Sequence, residues 1–275
     1  MRILIHTTGS RPDPWIGEVL NEFPQAQVRA WHEGDNEAAD YAIAWKPPLA
    51  MLQQRPDLKA VFNVGAGVDA ILEFGNALPK DLMIVRLDDA GMGVQMAEYV
   101  THAVLRYYRR LNEFDMQARA GQWRFLKPHD KKNFAVGILG LGVVGTQIAQ
   151  ALAQFGFPIN GWSRSEKSVP GVRCYAGQAG LDEFLDASRV LVCVLPLTAE
   201  TTDLLNEVVL GKLPQGAYLV NVARGAHLVE DDLLKLVQNG HIAGATLDVF
   251  REEPLPPAHP FWQEPRITIT PRYAA

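Results

Sequence analysis

The chain has 275 residues, enough for one large domain or two ordinary ones, and its 48% apolar and 21% charged residues call for a packed core. A net charge of −5 argues against a nucleic-acid-binding face; the densest basic group, Arg106, Arg109 and Arg110, shares a helical pattern with Glu98 and Glu113 and reads as a solvated helix face. Two cysteines, Cys174 and Cys193, form neither a disulfide framework nor a metal-ligand spacing, no apolar run approaches the ~20 residues that span a bilayer, and MRILIHTTGS lacks the apolar core of a signal peptide, so the expected setting is soluble and cytoplasmic, with no membrane and no metal.

RILIHT opens the chain as a short strand, and the spacing of Trp15, Val19 and Leu20 between Pro14 and Phe23 predicts a helix. QVRAW, YAIAW, KAVFNV and MIVRL follow as strands. Strand and helix signals in alternation predict a parallel sheet covered by helices on both faces. The pattern changes near Gly93. From Val94 to about Ala120, Met96, Val100, Val104 and Leu111 recur at helical intervals and predict one long helix that bridges two domains or forms an interface. GQWRFLKPHDKKNF then reads as an exposed connector. The expected domains are residues 1–93 and 94–275.

A second alternating series begins with FAVGILG. It continues through a helix from Val143 to Phe155, the strands INGW, VLVCVLP and YLVNVA, a helix from Val229 to Gln238, and the strands GATLDV and ITIT. Leu181–Leu185 and Leu204–Leu213 have helical spacing between them, and REEPLPPAHPFWQEP, with five prolines, reads as an ordered loop.

Gly140, Gly142 and Gly145 stand in G-x-G-x-x-G spacing between the first strand of that series and its helix. In that context the glycines have separate tasks: a tight turn, close approach of backbone to a pyrophosphate, and close packing of helix on strand. The first helical residues, Val143 and Val144, would present their N–H groups to the phosphates. The tip of the next strand selects the cofactor, since an acidic residue there would hydrogen-bond the ribose 2′-hydroxyl of NAD. Ser163, followed by Arg164 and Lys167, occupies that place instead, with Glu166 beyond the tip. A hydroxyl and two cations suit a 2′-phosphate, so NADP(H) is expected over NAD(H); an ordinary polar loop is the competing reading.

With the turn placed, VLPLTAETTDLLN, NVARG, LDVFREEPLP and ITITP follow in order, and the chain resembles the D-isomer-specific 2-hydroxyacid dehydrogenases over essentially its whole length. VRAWHEGDNEAADYAIAWKPP, VGAGVDAIL, GMGVQMAEYV and RGAHLVEDDLL make it most similar to the bacterial glyoxylate/hydroxypyruvate reductase A branch of that family. The resemblance implies two doubly wound parallel-sheet α/β domains, a flavodoxin-like substrate domain and a Rossmann NAD(P)-binding domain, with the active site in the cleft. It implies NADPH-dependent reduction of a small 2-oxo acid to a 2-hydroxy acid, in a homodimer joined through the nucleotide domain and the long helix.

Residue by residue, the resemblance assigns Arg224 of NVARG to the substrate, whose carboxylate and carbonyl are both acceptors for a guanidinium's fork of donors. Trp45 and the amides of Gly65, Ala66 and Gly67 are implied to line the substrate side, with a core tryptophan and a structural turn as the competing readings. Pro196 and Leu197 would flank the cofactor, and Asp248 would contact its nicotinamide end or hold a turn. Glu253 matches the catalytic carboxylate that pairs with the family's proton-donating histidine. At the histidine's own position the chain reads Thr270-Pro271-Arg272. Arginine does not release its proton near neutral pH, so impaired turnover is expected, and a non-catalytic NADP(H)-binding sensor or interaction protein is the alternative. His227 and His259 are the nearby histidines, each expected at the surface or at a helix start rather than as a replacement acid. Relatives continue for some tens of residues, so a return segment to the substrate domain is expected to be missing, with apolar surface exposed in consequence.

Overall fold

Consecutive apolar residues, rather than alternating ones, build the central strands, because helices cover both faces of a parallel sheet. In the computed structural model, which describes residues 1–9, 11–53, 55–65, 67–87 and 90–274, the chain forms two compact units, Met1–Ala90 and Gly91–Ala275.

The first unit runs β1 (Arg2–Thr7), α1 (Asp13–Glu22), β2 (Gln27–Ala30), β3 (Tyr41–Trp45), α2 (Leu49–Leu52), β4 (Ala60–Asn63), α3 (Asp69–Leu72) and β5 (Met83–Arg86). Its five strands are all parallel in the order β2-β1-β3-β4-β5, the flavodoxin-like order. Leu4, Ala42, Ala44, Leu52, Val61 and Ile71 form its core. A buried ion cluster pins the segment between β2 and β3: Arg29 and Arg55 each place Nη2 3.1 Å from Asp35 Oδ1.

The second unit runs α4 (Met92–Tyr108), α5 (Leu111–Arg119), β6 (Val136–Leu139), α6 (Val143–Ala153), β7 (Ile159–Ser163), β8 (Val172–Ala176), α7 (Gly177–Asp186), β9 (Val190–Cys193), α8 (Glu207–Leu210), β10 (Ala217–Asn221), α9 (Glu230–Gln238), β11 (Ile242–Leu247) and β12 (Ile267–Ile269). The parallel strand order β12-β11-β10-β9-β6-β7-β8 is the Rossmann order with one added edge strand, and its switch point lies between β6 and β9. Side chains alternate between two cores, as a period of two requires. Leu139, Leu191, Cys193 and Leu219 join α7 and α9 on one face, while Ile138, Val190, Val192 and Val220 join α4 and α6 on the other. Among the described residues no helix is long and apolar enough to cross a membrane.

Three local expectations change. The long helix is two helices, broken where Arg110 adopts φ 60°. Tertiary contacts fix the break: the Arg110 and His129 N–H groups cap the carbonyls of Tyr107 and Tyr108, the Arg110 guanidinium pairs with Glu113 at 2.7 Å, and Arg106 pairs with Asp115. Of Leu204–Leu213 only Glu207–Leu210 is helical, because Leu205 is bridged to Leu228. The strand β8 had no predicted counterpart; it is an edge strand carrying the exposed Arg173. The proline-rich loop is ordered, anchored by the buried Phe261 and by Trp262 Nε1 donating to Pro256 O at 2.9 Å.

Candidate active site

The glycine turn sits at the switch point. Gly140 has φ 117°, and a Cβ on Gly145 would lie 1.9 Å from Gly140 O, so helix α6 packs directly on the turn. Gly142 differs: its φ of −77° is ordinary, and a Cβ there would meet nothing within 4 Å. Open space at the mouth of a helix N-terminus, where packing demands no glycine, is the space a pyrophosphate would take. The first intrahelical bond is Thr146 N–H to Gly142 O at 2.9 Å, so the Val143 and Val144 amides lie ahead of the helical ladder, as an anion site requires.

At the tip of β7, Ser163 is buried and its Oγ donates to Ser165 O at 2.7 Å, shaping the turn that follows. Arg164 is exposed and makes no ion pair among the described residues. Lys167 folds back over the glycine turn, Nζ donating to Leu141 O at 2.5 Å. An ammonium therefore lies against the turn, and the strand tip carries the hydroxyl of Ser163 and the exposed Arg164 with no acidic residue at either position. That donor set fits a phosphorylated ribose.

Arg224 directly follows β10 and the short stretch Val222–Ala223, with Nη1 donating to Ala223 O at 2.7 Å and Asn221 Nδ2 donating to Arg224 O at 3.1 Å. His227 is fully buried in the short helical turn Gly225–His227 ahead of α9, so of its two expected placements the surface one is corrected. Its ring lies between two main-chain carbonyls, Nδ1 3.0 Å from Arg224 O and Nε2 3.3 Å from Pro196 O. Pro196 O also accepts from Thr201 Oγ1 at 2.8 Å, and Leu197 beside it is half-buried. His259 does start a short helical turn, its Nδ1 accepting from Phe261 N–H at 3.3 Å and its Nε2 3.3 Å from Glu230 Oε2.

Glu253 and Arg272 meet: Arg272 Nε donates to Glu253 Oε2, while Glu253 Oε1 accepts from Phe250 N–H at 3.0 Å. Arg272 holds φ 52°, and its N–H donates to Asp248 O at 2.9 Å. The buried Asp248 carboxylate is engaged by the segment after β12. It accepts from Thr270 Oγ1, from Tyr273 N–H at 2.7 Å and from Ala274 N–H at 2.9 Å. Of its two expected roles, these contacts fill that of holding a turn. Tyr99 OH contacts Thr270 Oγ1, and burial pushes the phenol up to about 12 against the opposing effect of that hydrogen bond. The contact between Tyr99 and Thr270 was not expected from the sequence, because a polar pair 171 positions apart leaves no local signal.

In the first unit, Gly65 has φ 149°, and a Cβ there would lie 2.6 Å from the Trp45 ring, so the ring packs on the bare glycine. The Gly65 N–H donates to Asn63 O at 3.0 Å within the turn. Asn63 organises this turn, Nδ2 donating to Gly65 O and Gly67 O at 2.9 Å each; an Asn two residues before a glycine was the available signal. Ala66 lies outside the described residues.

A Rossmann switch point with an open glycine turn in the second unit and a flavodoxin-like strand order in the first define a two-unit α/β protein of the dinucleotide-binding class. Residues 101–274 match the family model described as D-isomer specific 2-hydroxyacid dehydrogenase, NAD binding domain. The glyoxylate/hydroxypyruvate reductase A of Serratia proteamaculans is 49% identical over 279 residues, covering 100% of this chain and 89% of that protein. The crystal structure of a D-isomer specific 2-hydroxyacid dehydrogenase from Xanthobacter autotrophicus Py2 in complex with NADPH and MES superposes with a TM-score of 0.94 at 38% identity, covering 100% of this chain and 88% of that one. An NADPH-dependent glyoxylate/hydroxypyruvate reductase from Sinorhizobium meliloti, in complex with NADP and sulfate, gives 0.91 at 35% identity, covering 100% and 89%. The chain belongs to the D-isomer-specific 2-hydroxyacid dehydrogenase family.

Proposed function

We propose that the chain binds NADPH and reduces a small 2-oxo acid, glyoxylate or hydroxypyruvate, to the 2-hydroxy acid. The observation that carries the reading is the open face of Gly142 beside a strand tip bearing Ser163, Arg164 and Lys167 and no carboxylate. The names and ligands of the Serratia, Xanthobacter and Sinorhizobium proteins support the same chemistry.

The nicotinamide supplies the hydride when bound. The substrate's C=O becomes a C–O single bond, a C–H bond forms at that carbon, and the alkoxide oxygen takes a proton. Arg224 holds the carboxylate and polarises the carbonyl. Trp45 and Gly67 are the candidate acid contacts carried by the first unit, which serves as the substrate domain. Val143, Val144 and the glycine turn would hold the pyrophosphate, and Pro196 and Leu197 would flank the cofactor. Asp248 acts by holding the segment that carries Arg272. Arg272, paired to Glu253, stabilises negative charge on the alkoxide but gives up no proton, so water supplies it and turnover is slowed by about 10²–10⁴-fold. The same ion pair favours the second reading, an NADPH-binding protein without turnover.

Two copies pair through the second unit. Trp123 is fully exposed and Phe125 is 80% exposed on the connector, and an apolar groove of about 720 Å³ runs between α4 and α6 past Val94, Ala97 and Leu105. The setting is cytoplasmic, in keeping with two free thiols. The test is cofactor oxidation with glyoxylate or hydroxypyruvate, NADPH beside NADH, with sedimentation for the dimer. Slow but measurable NADPH oxidation at a rate at least about tenfold above NADH is expected, equivalent to one charge-assisted hydrogen bond or more. A chain that binds neither cofactor overturns the reading.

A further inference from the structure

The buried imidazole of His227 has no part in the chemistry above, yet it touches both halves of the site. We propose that His227 is a positioning residue that ties the cofactor segment at Pro196 to the substrate arginine, so that filling the cofactor site tightens binding of the 2-oxo acid. The proposal rests on the function proposed above.

The ring is fully buried, with Nδ1 3.0 Å from Arg224 O and Nε2 3.3 Å from Pro196 O. Both oxygens are acceptors, and a neutral imidazole carries one N–H, so the ring donates to one carbonyl or, as the cation, to both. Backbone contacts already fasten the two segments further along. Asp203 N–H donates to Ala226 O at 2.9 Å, Leu205 N–H donates to His227 O at 2.8 Å, and Leu205 is bridged to Leu228. The imidazole adds a second point of attachment, nearer to both Pro196 and Arg224. A segment held at two points transmits displacement, where one held at a single point pivots. Ordering of the main chain at Pro196 by a bound cofactor is thereby passed to the main chain that carries the Arg224 guanidinium.

His227→Phe removes the strut without orphaning either carbonyl. Pro196 O keeps Thr201 Oγ1 at 2.8 Å, and Arg224 O keeps Asn221 Nδ2 at 3.1 Å and the main-chain N–H of residue 227 at 3.2 Å. The experiment measures NADPH affinity by fluorescence titration, then the affinity of oxalate, an unreactive mimic of a 2-oxo acid, with and without saturating NADPH. In the native chain oxalate is expected to bind about five- to tenfold more tightly with NADPH present. In H227F each ligand alone is expected within about twofold of native, as for a residue that touches neither, while the ratio falls to about one. His227→Gln, which keeps an N–H donor, is expected to retain an intermediate ratio.

An H227F chain with the native ratio overturns the proposal, as does a native chain with no ratio. If H227F does not fold, hydrogen exchange on the native chain decides. NADPH is expected to slow exchange of the main-chain N–H groups of His227 and Leu228, and unchanged exchange overturns the proposal. Absence of NADPH binding to the native chain is seen in the first titration and sinks the proposed function itself, a separate outcome.

Discussion

Substituting alanine at Gly142 and at Gly145 separates folding from cofactor binding. At Gly142 the backbone is ordinary and the space open, so a methyl group adds no clash. Removing glycine's unfolded-state freedom stabilises by about 0.4–1 kcal/mol, and Ala is a poorer N-cap than Gly by a comparable amount. The two offset, and the melting temperature is expected to stay within about 2 °C of native. The same methyl group stands where the pyrophosphate approaches, and NADPH affinity is expected to fall at least about tenfold, or 1.4 kcal/mol. At Gly145 the methyl would lie 1.9 Å from Gly140 O and 3.2 Å from Val194 Cγ2, so helix and turn must separate. Overpacking of that kind costs about 1–3 kcal/mol, a fall of roughly 2–12 °C, and affinity falls with it. The assay pairs thermal melts with NADPH fluorescence titration on both variants. A Gly142→Ala chain that binds NADPH as tightly as native would refute the placement of the phosphates.

Asp248→Ala strands a hydroxyl and two main-chain N–H groups in a buried site, and a loss of about 3 kcal/mol in a urea melt is expected, against little change if the carboxylate were a cofactor ligand alone. Burial alone would raise the Asp35 carboxyl, but hydrogen bonds from Arg29, Arg55 and the Glu37 main-chain N–H outweigh it and hold it at about 2, against 3.8. A depressed folded-state value gives stability that is present above pH ~3.8 and lost as the pH falls toward ~2, about 2 kcal/mol in all; acid melts of native and Asp35→Asn chains should converge there. Arg55→Met leaves the buried carboxylate with Arg29 as its one guanidinium partner beside the Glu37 N–H and is expected to destabilise the first unit by about 3 kcal/mol, read from a thermal melt. Burial pushes the Cys193 thiol up to about 12, so alkylating reagents at neutral pH are expected to modify the half-buried Cys174 first and Cys193 only on unfolding.

Strands such as VGIL and AYLVN were legible because every residue in them is buried, which leaves an uninterrupted apolar run. VRCYA was not, since an edge strand has one neighbour and tolerates a charge at Arg173. Nothing in Tyr108-Arg109-Arg110 breaks a helix by propensity, so the division of α4 from α5 follows from caps supplied by His129 and Arg110, which a local reading does not contain. The glycine turn was legible because its spacing, strand and helix occur together. The pairing of Arg272 with Glu253 was legible only through the family resemblance, which sets both residues in the places of a carboxylate and its histidine partner. The burial of His227 was signalled by its apolar neighbours Ala226 and Leu228, but its two carbonyl partners, one of them 31 positions away, became visible only in three dimensions.

Arg272 offers the most direct test of the chemistry. The residue sits at φ 52°, a conformation in which histidine is comparatively common, so Arg272→His carries little backbone penalty. On the proposed mechanism a histidine beside Glu253 would supply the proton that arginine withholds. Steady-state NADPH oxidation with glyoxylate is expected to rise by about 10²-fold or more in kcat, with NADPH affinity unchanged. Equal turnover in the two chains, with NADPH bound by both, would contradict the assignment of that position to proton transfer.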